Sequence, residues 1–210
     1  MTHFGQHDAP LDAASTQPRT GGASFTLRHR LVRVLFALAW LLLAAWTPPQ
    51  MRGWRRMVLR AFGARLGQGA NVYASARIWY PPNLVMGDHA TLGRRVRCYN
   101  QACVTLGPFA VVSQDATLCA GTHDYDDPHF QLRTRPIVLG ANSWIAAEAF
   151  VGPGVTVGPQ AVLGARAVAM KDLAADTIYA GNPAVAIKRR KPPVANRHAF
   201  TVLPGGRSQR

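Results

Sequence analysis

The sequence predicts a mainly β fold, a parallel β-helix built from hexapeptide repeats. Between Leu66 and Lys171 an aliphatic residue recurs every six residues, and in the downstream block each one is followed by Gly or Ala. That block contains Leu139, Ile145, Val151, Val157 and Leu163. One hexad supplies one short strand and one corner, so three hexads close a triangular coil. The repeated aliphatic side chains then form one continuous core.

The interruptions of the repeat fall after every third hexad, so they lie at the same corner of successive coils. The predicted coils are Leu66–Val85, Met86–Thr105, Leu106–Val138, Leu139–Thr156 and a fifth from Val157. The longest interruption, Asp124–Val138, is predicted to be a loop leaving one edge of the prism. A β-sandwich with accidental spacing is the alternative, and the five consecutive hexads from Leu139 disfavour it.

The segment before the repeats divides into a polar tail and a helical part. Residues 1–23 are rich in small and polar residues without a period, which predicts disorder. Residues 24–63 are predicted to hold helices over Leu27–Trp46 and Met51–Phe62. The apolar run Val34–Trp46 is shorter than the ~20 residues of a membrane span. A signal peptide shares this layout, but the long polar lead and weak cleavage context disfavour it.

The second helix is basic and amphipathic, with apolar residues on one face and arginines on another. It predicts either contact with an anionic membrane surface or a cap over the open end of the β-helix. The two can hold together.

The chain after the repeats leaves the hexapeptide period. The β-helical catalytic domain is expected over residues 64–175, with its loop at 124–138. A basic extension over residues 176–191 includes a turn at Gly181-Asn182-Pro183 and is expected to form a short C-terminal helix. Residues 192–210 are expected to be a flexible tail.

Composition indicates one domain with anionic partners. The hydrophobic fraction is 48%, and 24 Lys and Arg against 10 Asp and Glu give a net charge of +14. Such a surface favours phosphates, nucleotide cofactors, acidic lipid or nucleic acid. Three cysteines without a CxxC motif indicate buried free thiols in a reducing compartment.

The root of the long loop holds the strongest candidate for catalysis. His123 ends the last hexad of the third coil, where the rigid prism would hold it. A neutral imidazole is suited to take a proton from a hydroxyl, and Asp124 and Asp126 are close enough in sequence to orient it. A packing or surface role for this histidine is the simpler alternative.

At these residues the chain resembles a family. The hexapeptide stretch, Cys119-Ala120-Gly121-Thr122-His123-Asp124, Trp144-Ile145-Ala146-Ala147 and Ala180-Gly181-Asn182-Pro183-Ala184 resemble the hexapeptide-repeat acetyltransferases. Phe62-Gly63-Ala64, Tyr99-Asn100 and Leu118–Phe130 narrow this to the colanic-acid and exopolysaccharide biosynthesis branch. The resemblance covers about residues 27–190.

The resemblance implies a left-handed β-helix, a homotrimer, and acetyl-CoA in a cleft between neighbouring subunits, with no metal. It implies His123 as the general base and Asn100, or a backbone N–H, as the group that steadies the acetyl oxyanion. The implied cofactor-binding residues are Trp144, Ala147, Ala165, Met170, Lys171 and Lys188. Met170 stands where the family has a threonine, so that hydroxyl contact is lost.

The implied reaction is O-acetylation of a sugar or a lipid-linked glycan in exopolysaccharide assembly. Tyr99, Tyr125 and Asp126 are candidates for contacts with the acceptor. Because acetyl-CoA is cytosolic, the resemblance implies a cytoplasmic enzyme, with peripheral contact to the inner membrane as an option and no nucleic-acid partner.

Two other functions compete with acetyl transfer. Trimeric β-helical carbonic anhydrases bind zinc through three histidines, and this chain has His89, His123 and His129. A non-catalytic basic scaffold or nucleic-acid binder is the second alternative, supported by the net charge alone. The repeats lack the interleaved aromatic and basic residues on which single strands stack.

Overall fold

The chain forms a three-sided parallel β-solenoid, which confirms the predicted fold class. The structure is a computed structural model that describes residues 9–191. Five complete coils and a partial sixth place successive strands on three sides, called A, B and C. Side A holds β1 (Arg65–Leu66), β4 (Leu84–Met86), β7 (Val104–Leu106), β12 (Ile137–Leu139) and β15 (Thr156–Val157). Side B holds β2 (Asn71–Val72), β5 (Thr91–Leu92), β8 (Val111–Val112), β13 (Trp144–Ile145) and β16 (Val162–Leu163). Side C holds β3 (Arg77–Ile78), β6 (Arg97–Tyr99), β9 (Thr117–Cys119), β14 (Phe150–Val151) and β17 (Val168–Ala169).

The repeated aliphatic residues lie one above another inside the prism. On side A, Leu66, Met86, Leu106, Leu139 and Val157 occupy paired positions of successive parallel strands. Each is at most 8% exposed. The burial of these apolar side chains is therefore the main force that holds the coils together.

Small residues after each aliphatic position let the coils stack. A Cβ on Gly140 would lie 2.5 Å from the backbone nitrogen of Pro159 in the next coil. A Cβ on Gly158 would lie equally close to the nitrogen of Ala175. The glycines in the repeat are thus required by close backbone approach at the corner.

The first helices close the open end of coil one. α2 (Leu27–Leu43) and α3 (Arg52–Ala61) match the predicted helices, with ends shifted by up to three residues. The buried Arg55 donates from Nε to the carbonyl of Val72 at 2.7 Å, and Arg56 donates to the carbonyl of Ala70 at 3.2 Å. These arginines satisfy carbonyl groups that a bare solenoid end would leave unpaired.

α2 covers the solenoid with one stripe only. Phe36 is buried in the core cluster, and Trp40 donates from Nε1 to the carbonyl of Ala74 at 3.1 Å. The opposite stripe is apolar and exposed, with Leu27, Leu31, Val34, Leu35, Leu38, Leu41, Leu42 and Leu43. Among residues 9–191, no helix is long and apolar enough to cross a bilayer.

The predicted disorder over residues 1–23 is wrong for residues 9–23, while residues 1–8 lie outside the described residues. α1 (Ala13–Thr16) is capped by Asp12. The Gln131 side chain ties this segment to the long loop: its Oε1 accepts from the Ala13 N–H at 2.6 Å, and its Nε2 donates to the Leu11 carbonyl at 3.1 Å. Residues 9–26 are called the strap below. Its order comes from contacts more than one hundred positions away, which local composition cannot reveal.

The predicted short C-terminal helix is wrong for the described residues. β18 (Thr177–Ala180) extends side B beyond β16, and β19 (Val185–Arg189) folds back antiparallel on it. The predicted turn at Gly181-Asn182-Pro183 joins the two strands. A hairpin forms here because the last coil leaves an unpaired strand edge, and β18 pairs with that edge. The expected tail at residues 192–210 lies outside the described residues.

The three cysteines are free, as predicted, but only Cys98 is fully buried. Burial raises the pKa of the Cys98 thiol to about 12. Cys103 and Cys119 are partly exposed.

Candidate active site

A pocket of about 420 Å³ opens at the edge between sides C and A, called the CA edge. Every strand of side C is followed there by the connection to the next coil. Trp79, Tyr99, Gln101 and His123 come from the ends of three successive coils and line this pocket. The strap and the first turns of α2 form its opposite wall.

The imidazole of His123 is held by the long loop. Its Nδ1 lies 2.9 Å from the carbonyl oxygen of Phe130, and the two rings stack with centroids 4.3 Å apart. Since a carbonyl can only accept, Nδ1 carries the proton and Nε2 keeps a lone pair. The geometry therefore presents a potential general base at the pocket.

The loop begins as a hairpin that positions this histidine. β10 (Gly121–His123) pairs antiparallel with β11 (Leu132–Thr134), and His123 faces Leu132 in register. The strap braces the loop, because Arg19 donates to the Pro128 carbonyl at 3.2 Å. Its guanidinium also lies 5.1 Å from the centre of the Phe130 ring.

Asp124, Tyr125 and Asp126 do not join His123 in the pocket. The Asp124 carboxylate pairs with Arg133 at 3.1 Å across the hairpin. Neighbouring residues of a strand point to opposite faces, so Asp124 faces away from the imidazole. Tyr125 is 83% exposed, and Asp126 is exposed on the loop. The expectation that Asp124 orients His123 is corrected: the Phe130 carbonyl does so.

Asn100 is a buried residue that joins two coils by hydrogen bonds and does not line the pocket. Its Oδ1 accepts from the N–H groups of Trp79 and Tyr80 at 3.2 and 3.0 Å. Its Nδ2 donates to the Tyr80 carbonyl at 2.7 Å, and the residue is 0% exposed. The side chain is thus occupied inside the solenoid. This placement favours the backbone N–H alternative, and the expected contact of Asn100 with the acetyl group stays a prediction.

Gln101, which the sequence did not single out, reaches the pocket instead. Its Nε2 donates to the Tyr99 hydroxyl at 3.1 Å. Its Oε1 is buried and has no hydrogen-bond partner among residues 9–191. A Cβ at Gly121 would overlap this oxygen, so that glycine gives the amide its space.

Three of the expected cofactor-binding residues cluster at a different edge, between sides B and C, called the BC edge. Ala147 and Ala165 stack there in consecutive coils, with the N–H of Arg166 donating to the Ala147 carbonyl at 2.9 Å. Trp144 lies on the strand leading to this edge, is 45% exposed, and donates from Nε1 to Ser113 Oγ at 2.9 Å. Because Ala147 and Ala165 have small side chains, the surface beside the exposed Trp144 indole is left open.

The remaining expected residues lie at the far end of the solenoid. Met170 and Lys171 follow β17 at the CA edge of coil five, two coils from His123. Met170 is 58% exposed and covers Gly152. Lys188 is exposed on β19. Arg190 is used structurally, since its Nη1 donates to the carbonyls of Asn142 and Gln160 at 2.9 Å.

The histidines of the zinc alternative do not converge. His89 stacks on Phe109 with ring centroids 5.0 Å apart, and His129 is exposed within the loop. Within residues 9–191 no three His, Cys, Asp or Glu residues are grouped to hold a metal ion.

Comparison with known proteins identifies the family. The chain is 42% identical over 146 residues to the protein named colanic acid biosynthesis acetyltransferase WcaF of Escherichia coli (strain K12). The match covers 70% of this chain and 80% of WcaF. The chain belongs to the hexapeptide-repeat acetyltransferases, in this branch. It is also 26% identical to galactoside O-acetyltransferase of the same organism over 64% of this chain and 68% of that one. No protein-family model matches the chain.

Solved structures of other hexapeptide-repeat acetyltransferases share the fold. The Vibrio cholerae acetyltransferase VCA0836, solved with acetyl-CoA, superposes with a TM-score of 0.72 at 20% identity. That alignment covers 87% of this chain and all of VCA0836. A galactoside acetyltransferase in complex with coenzyme A gives a TM-score of 0.70 at 20% identity, over 86% of this chain and 92% of its own.

Proposed function

We propose that this acetyltransferase moves the acetyl group of acetyl-CoA to a sugar hydroxyl during exopolysaccharide assembly. The observation that carries this is His123, whose Nδ1 is bound to the Phe130 carbonyl at 2.9 Å and whose ring lines the pocket. Aromatic side chains and polar groups also line the pocket, which suits a sugar. The relatedness to WcaF supports the polysaccharide pathway.

In this proposal acetyl-CoA supplies an activated acyl group, and the chain supplies a base and alignment. Nε2 of His123 takes the proton of the sugar hydroxyl as its oxygen attacks the thioester carbonyl. The C–S bond breaks, and the departing sulfur receives the proton from the imidazolium. A general base contributes about 10²–10⁴-fold to such a step. No side chain becomes acylated.

The division of the expected residues between two edges favours a site shared by subunits. His123 stands at the CA edge, while Trp144, Ala147 and Ala165 stand at the BC edge, on the other side of the same face. If the CA edge of one subunit lay beside the BC edge of the next, one acetyl-CoA molecule could contact both sets of residues. We therefore propose a homotrimer in which the CA edge of one subunit faces the BC edge of the next.

Mixing two inactive variants tests the shared site. His123→Ala removes the base from the CA edge, and Trp144→Ala removes the indole from the BC edge. Subunits of the two variants, unfolded and refolded together, should regain activity, because mixed trimers contain sites in which both residues are intact. Recovery no greater than in either variant refolded alone would place both residues in a site within one subunit. A wild-type protein that scatters light as a monomer would contradict the trimer.

Binding of the donor tests the proposed function itself. Calorimetry should show acetyl-CoA binding to wild type, weakened about tenfold or more when Lys171→Ala and Lys188→Ala remove cations suited to its phosphates (about 1.4 kcal/mol). Arg52→Ala, which removes an exposed cation at the opposite end, is the matched control. Sugar-dependent release of free thiol should then follow with galactosides and related sugars. A folded wild type that binds no acetyl-CoA would contradict the proposal.

The exposed apolar stripe of α2 supports a further part of the proposal, contact with a membrane surface. Arginines such as Arg28 flank the stripe, and apolar residues with basic neighbours bind anionic bilayers. In flotation with vesicles containing anionic lipid, wild type should float, and Leu35→Glu with Leu42→Glu should stay in solution. Both leucines are more than half exposed, so the fold should survive. Equal flotation of wild type and variant would contradict this contact.

A further inference from the structure

Two arginines of α2 reach into the same pocket as His123. Arg30 and Arg33 lie three residues apart, so they share one face of the helix, and both line the pocket together with Trp79 and Tyr99. The Arg33 guanidinium lies 4.2 Å from the centre of the Trp79 ring. Their wall of the pocket is thus basic, while the opposite wall carries the aromatic rings and the histidine.

Within the described part of the chain, no acidic residue forms an ion pair with Arg30 or Arg33. The three ion pairs found within residues 9–191 involve Arg95, Arg133 and Arg166, and none includes Arg30 or Arg33. Burial lowers the pKa of Arg33, and the neighbouring charge of Arg30 adds to this shift, whereas Tyr99 would oppose it only in its ionised form. Desolvating one cation beside another without a counter-charge is unfavourable. An anion placed between them would remove that penalty and gain charge-assisted hydrogen bonds.

The rest of the pocket fits an uncharged sugar ring beside that anion. Trp79 and Tyr99 form an edge-to-face pair with centroids 5.4 Å apart. Gln101 donates from Nε2 to the Tyr99 hydroxyl at 3.1 Å and so holds that hydroxyl at the pocket wall. Gly21 and Gly22 of the strap leave room on the facing wall. The histidine, the aromatic pair and the two guanidinium groups therefore surround one cavity of about 420 Å³.

We infer that Arg30 and Arg33 form an anion subsite that selects an acceptor carrying a phosphate next to the sugar that is acetylated. The inference rests on the proposed function for the identity of the sugar pocket, but the anion subsite can be measured without acetyl transfer. Phosphate is favoured over carboxylate because two guanidinium groups can share one dianion. Val34 also lines the pocket and belongs to the exposed apolar stripe, so a lipid attached to such a phosphate would leave along α2.

Pyrophosphate binding tests the subsite directly. Calorimetry uses full-length protein saturated with CoA, so that the cofactor occupies its own phosphate contacts. Inorganic pyrophosphate should bind wild type, and Arg30→Gln or Arg33→Gln should weaken it about tenfold each. Arg28→Gln, on the same helix but outside the pocket lining, should bind like wild type. Absence of binding to wild type, or equal weakening by all three variants, would overturn the inference.

Acceptor preference separates this inference from the proposed function. The acceptors are methyl galactoside, galactose 1-phosphate and methyl galacturonoside, compared by kcat/KM for thiol release. The phosphate should be preferred to the neutral sugar by about tenfold or more, and the ratio should fall toward one in Arg30→Gln and Arg33→Gln. Equal use of phosphate and neutral sugar would overturn the inference while the proposed function stands. Preference for the uronoside would overturn the assignment to phosphate. Arginine-dependent pyrophosphate binding without acetylation of any sugar would leave the subsite standing and count against the proposed function.

Discussion

The regular coils and the CA edge of coils one to three differ in what holds them. In the coils, each buried aliphatic residue repeats its neighbour above and below, and the backbone pairs in parallel register. At the CA edge, the strap, the long loop and α2 meet through single contacts such as those of Gln131 and Arg19. The first region is built by repetition and the second by individual side chains.

Because of this difference, we expect stability to depend on the coils and chemistry to depend on the CA edge. The solenoid core is continuous, so its energy is spread over many equivalent positions. Among residues 9–191, the pocket lining includes His123, Gln101, Arg30 and Arg33, none of which the repeat requires. Substitutions should therefore affect unfolding in the first region and substrate use in the second.

The largest stability effect is expected in the core. Leu106→Ala removes a side chain that is 1% exposed and pairs with Met86 and Leu139. The lost burial and the cavity should cost about 2–5 kcal/mol in the free energy of unfolding. Tyr125→Ala, at an 83% exposed position, is the control and should change it by less than about 0.5 kcal/mol. Denaturant unfolding followed by circular dichroism measures both free energies of unfolding. Similar losses for the two variants would contradict the proposed difference between the two regions.

Asn100 lies next to the pocket but belongs to the core, so its substitution tests the difference between the coils and the CA edge. Asn100→Ala would remove the hydrogen bonds that Oδ1 accepts from the N–H groups of Trp79 and Tyr80. The Trp79 N–H would keep its bond to the Cys98 carbonyl at 3.1 Å, and we expect a total cost of about 1–3 kcal/mol of unfolding free energy. Chemical denaturation and steady-state kinetics on the same sample separate the roles. If kcat dropped a hundredfold while stability stayed unchanged, Asn100 would be catalytic after all.

The strap should affect substrate use more than stability. Gln131→Ala removes two hydrogen bonds to residues 11 and 13, worth about 1 kcal/mol each. Because the strap can detach locally while the solenoid stays folded, we expect faster amide exchange at Ala13 and a several-fold higher KM for the acceptor, with the midpoint of global unfolding nearly unchanged. Gln114→Ala, away from the strap, serves as the control. Unchanged exchange at Ala13 would show that the strap does not depend on Gln131.

The smallest effect concerns the thiols. Because burial raises the pKa of Cys98 to about 12, this thiol stays protonated in the folded state well above pH 9. Unfolding would release its proton there, so its contribution to stability is fully present below the ordinary thiol pKa of 9.0 and declines as pH rises toward 12. Iodoacetamide near pH 9 should modify Cys103 and Cys119 before Cys98, as read by mass spectrometry. Early modification of Cys98 would indicate an open core.

Prediction from sequence succeeded where local pattern determines structure. The hexad period gave the coils, their boundaries and the edge from which the loop leaves, because every repeat has the same burial requirement. It could not give the order of the strap or the C-terminal hairpin, since both depend on partners distant in sequence. The sequence singled out His123 from its place at the loop root, and the residue lines the pocket, while its role as a base stays a prediction. Its orienting partner Phe130 was not singled out, because a backbone carbonyl carries no residue signature.

Asn100 and Gln101 show the limit for adjacent residues. Both are polar, both follow β6, and sequence alone gives no reason to choose between them. The turn of the backbone at the CA edge sends the Asn100 side chain inward to Tyr80 and places Gln101 beside Tyr99. Arg30 and Arg33 escaped notice for a related reason: on sequence they belong to the basic flank of an apolar helix.

We propose that an oriented histidine at the CA edge performs the chemistry, while the solenoid holds it in place. The most direct test is His123→Asn, compared with wild type in both acetyl transfer and thermal unfolding. We predict that kcat/KM falls by about 10²–10⁴-fold, while acetyl-CoA affinity and the unfolding temperature remain close to wild type. A folded His123→Asn protein that transfers acetyl groups within about threefold of the wild-type rate would contradict it.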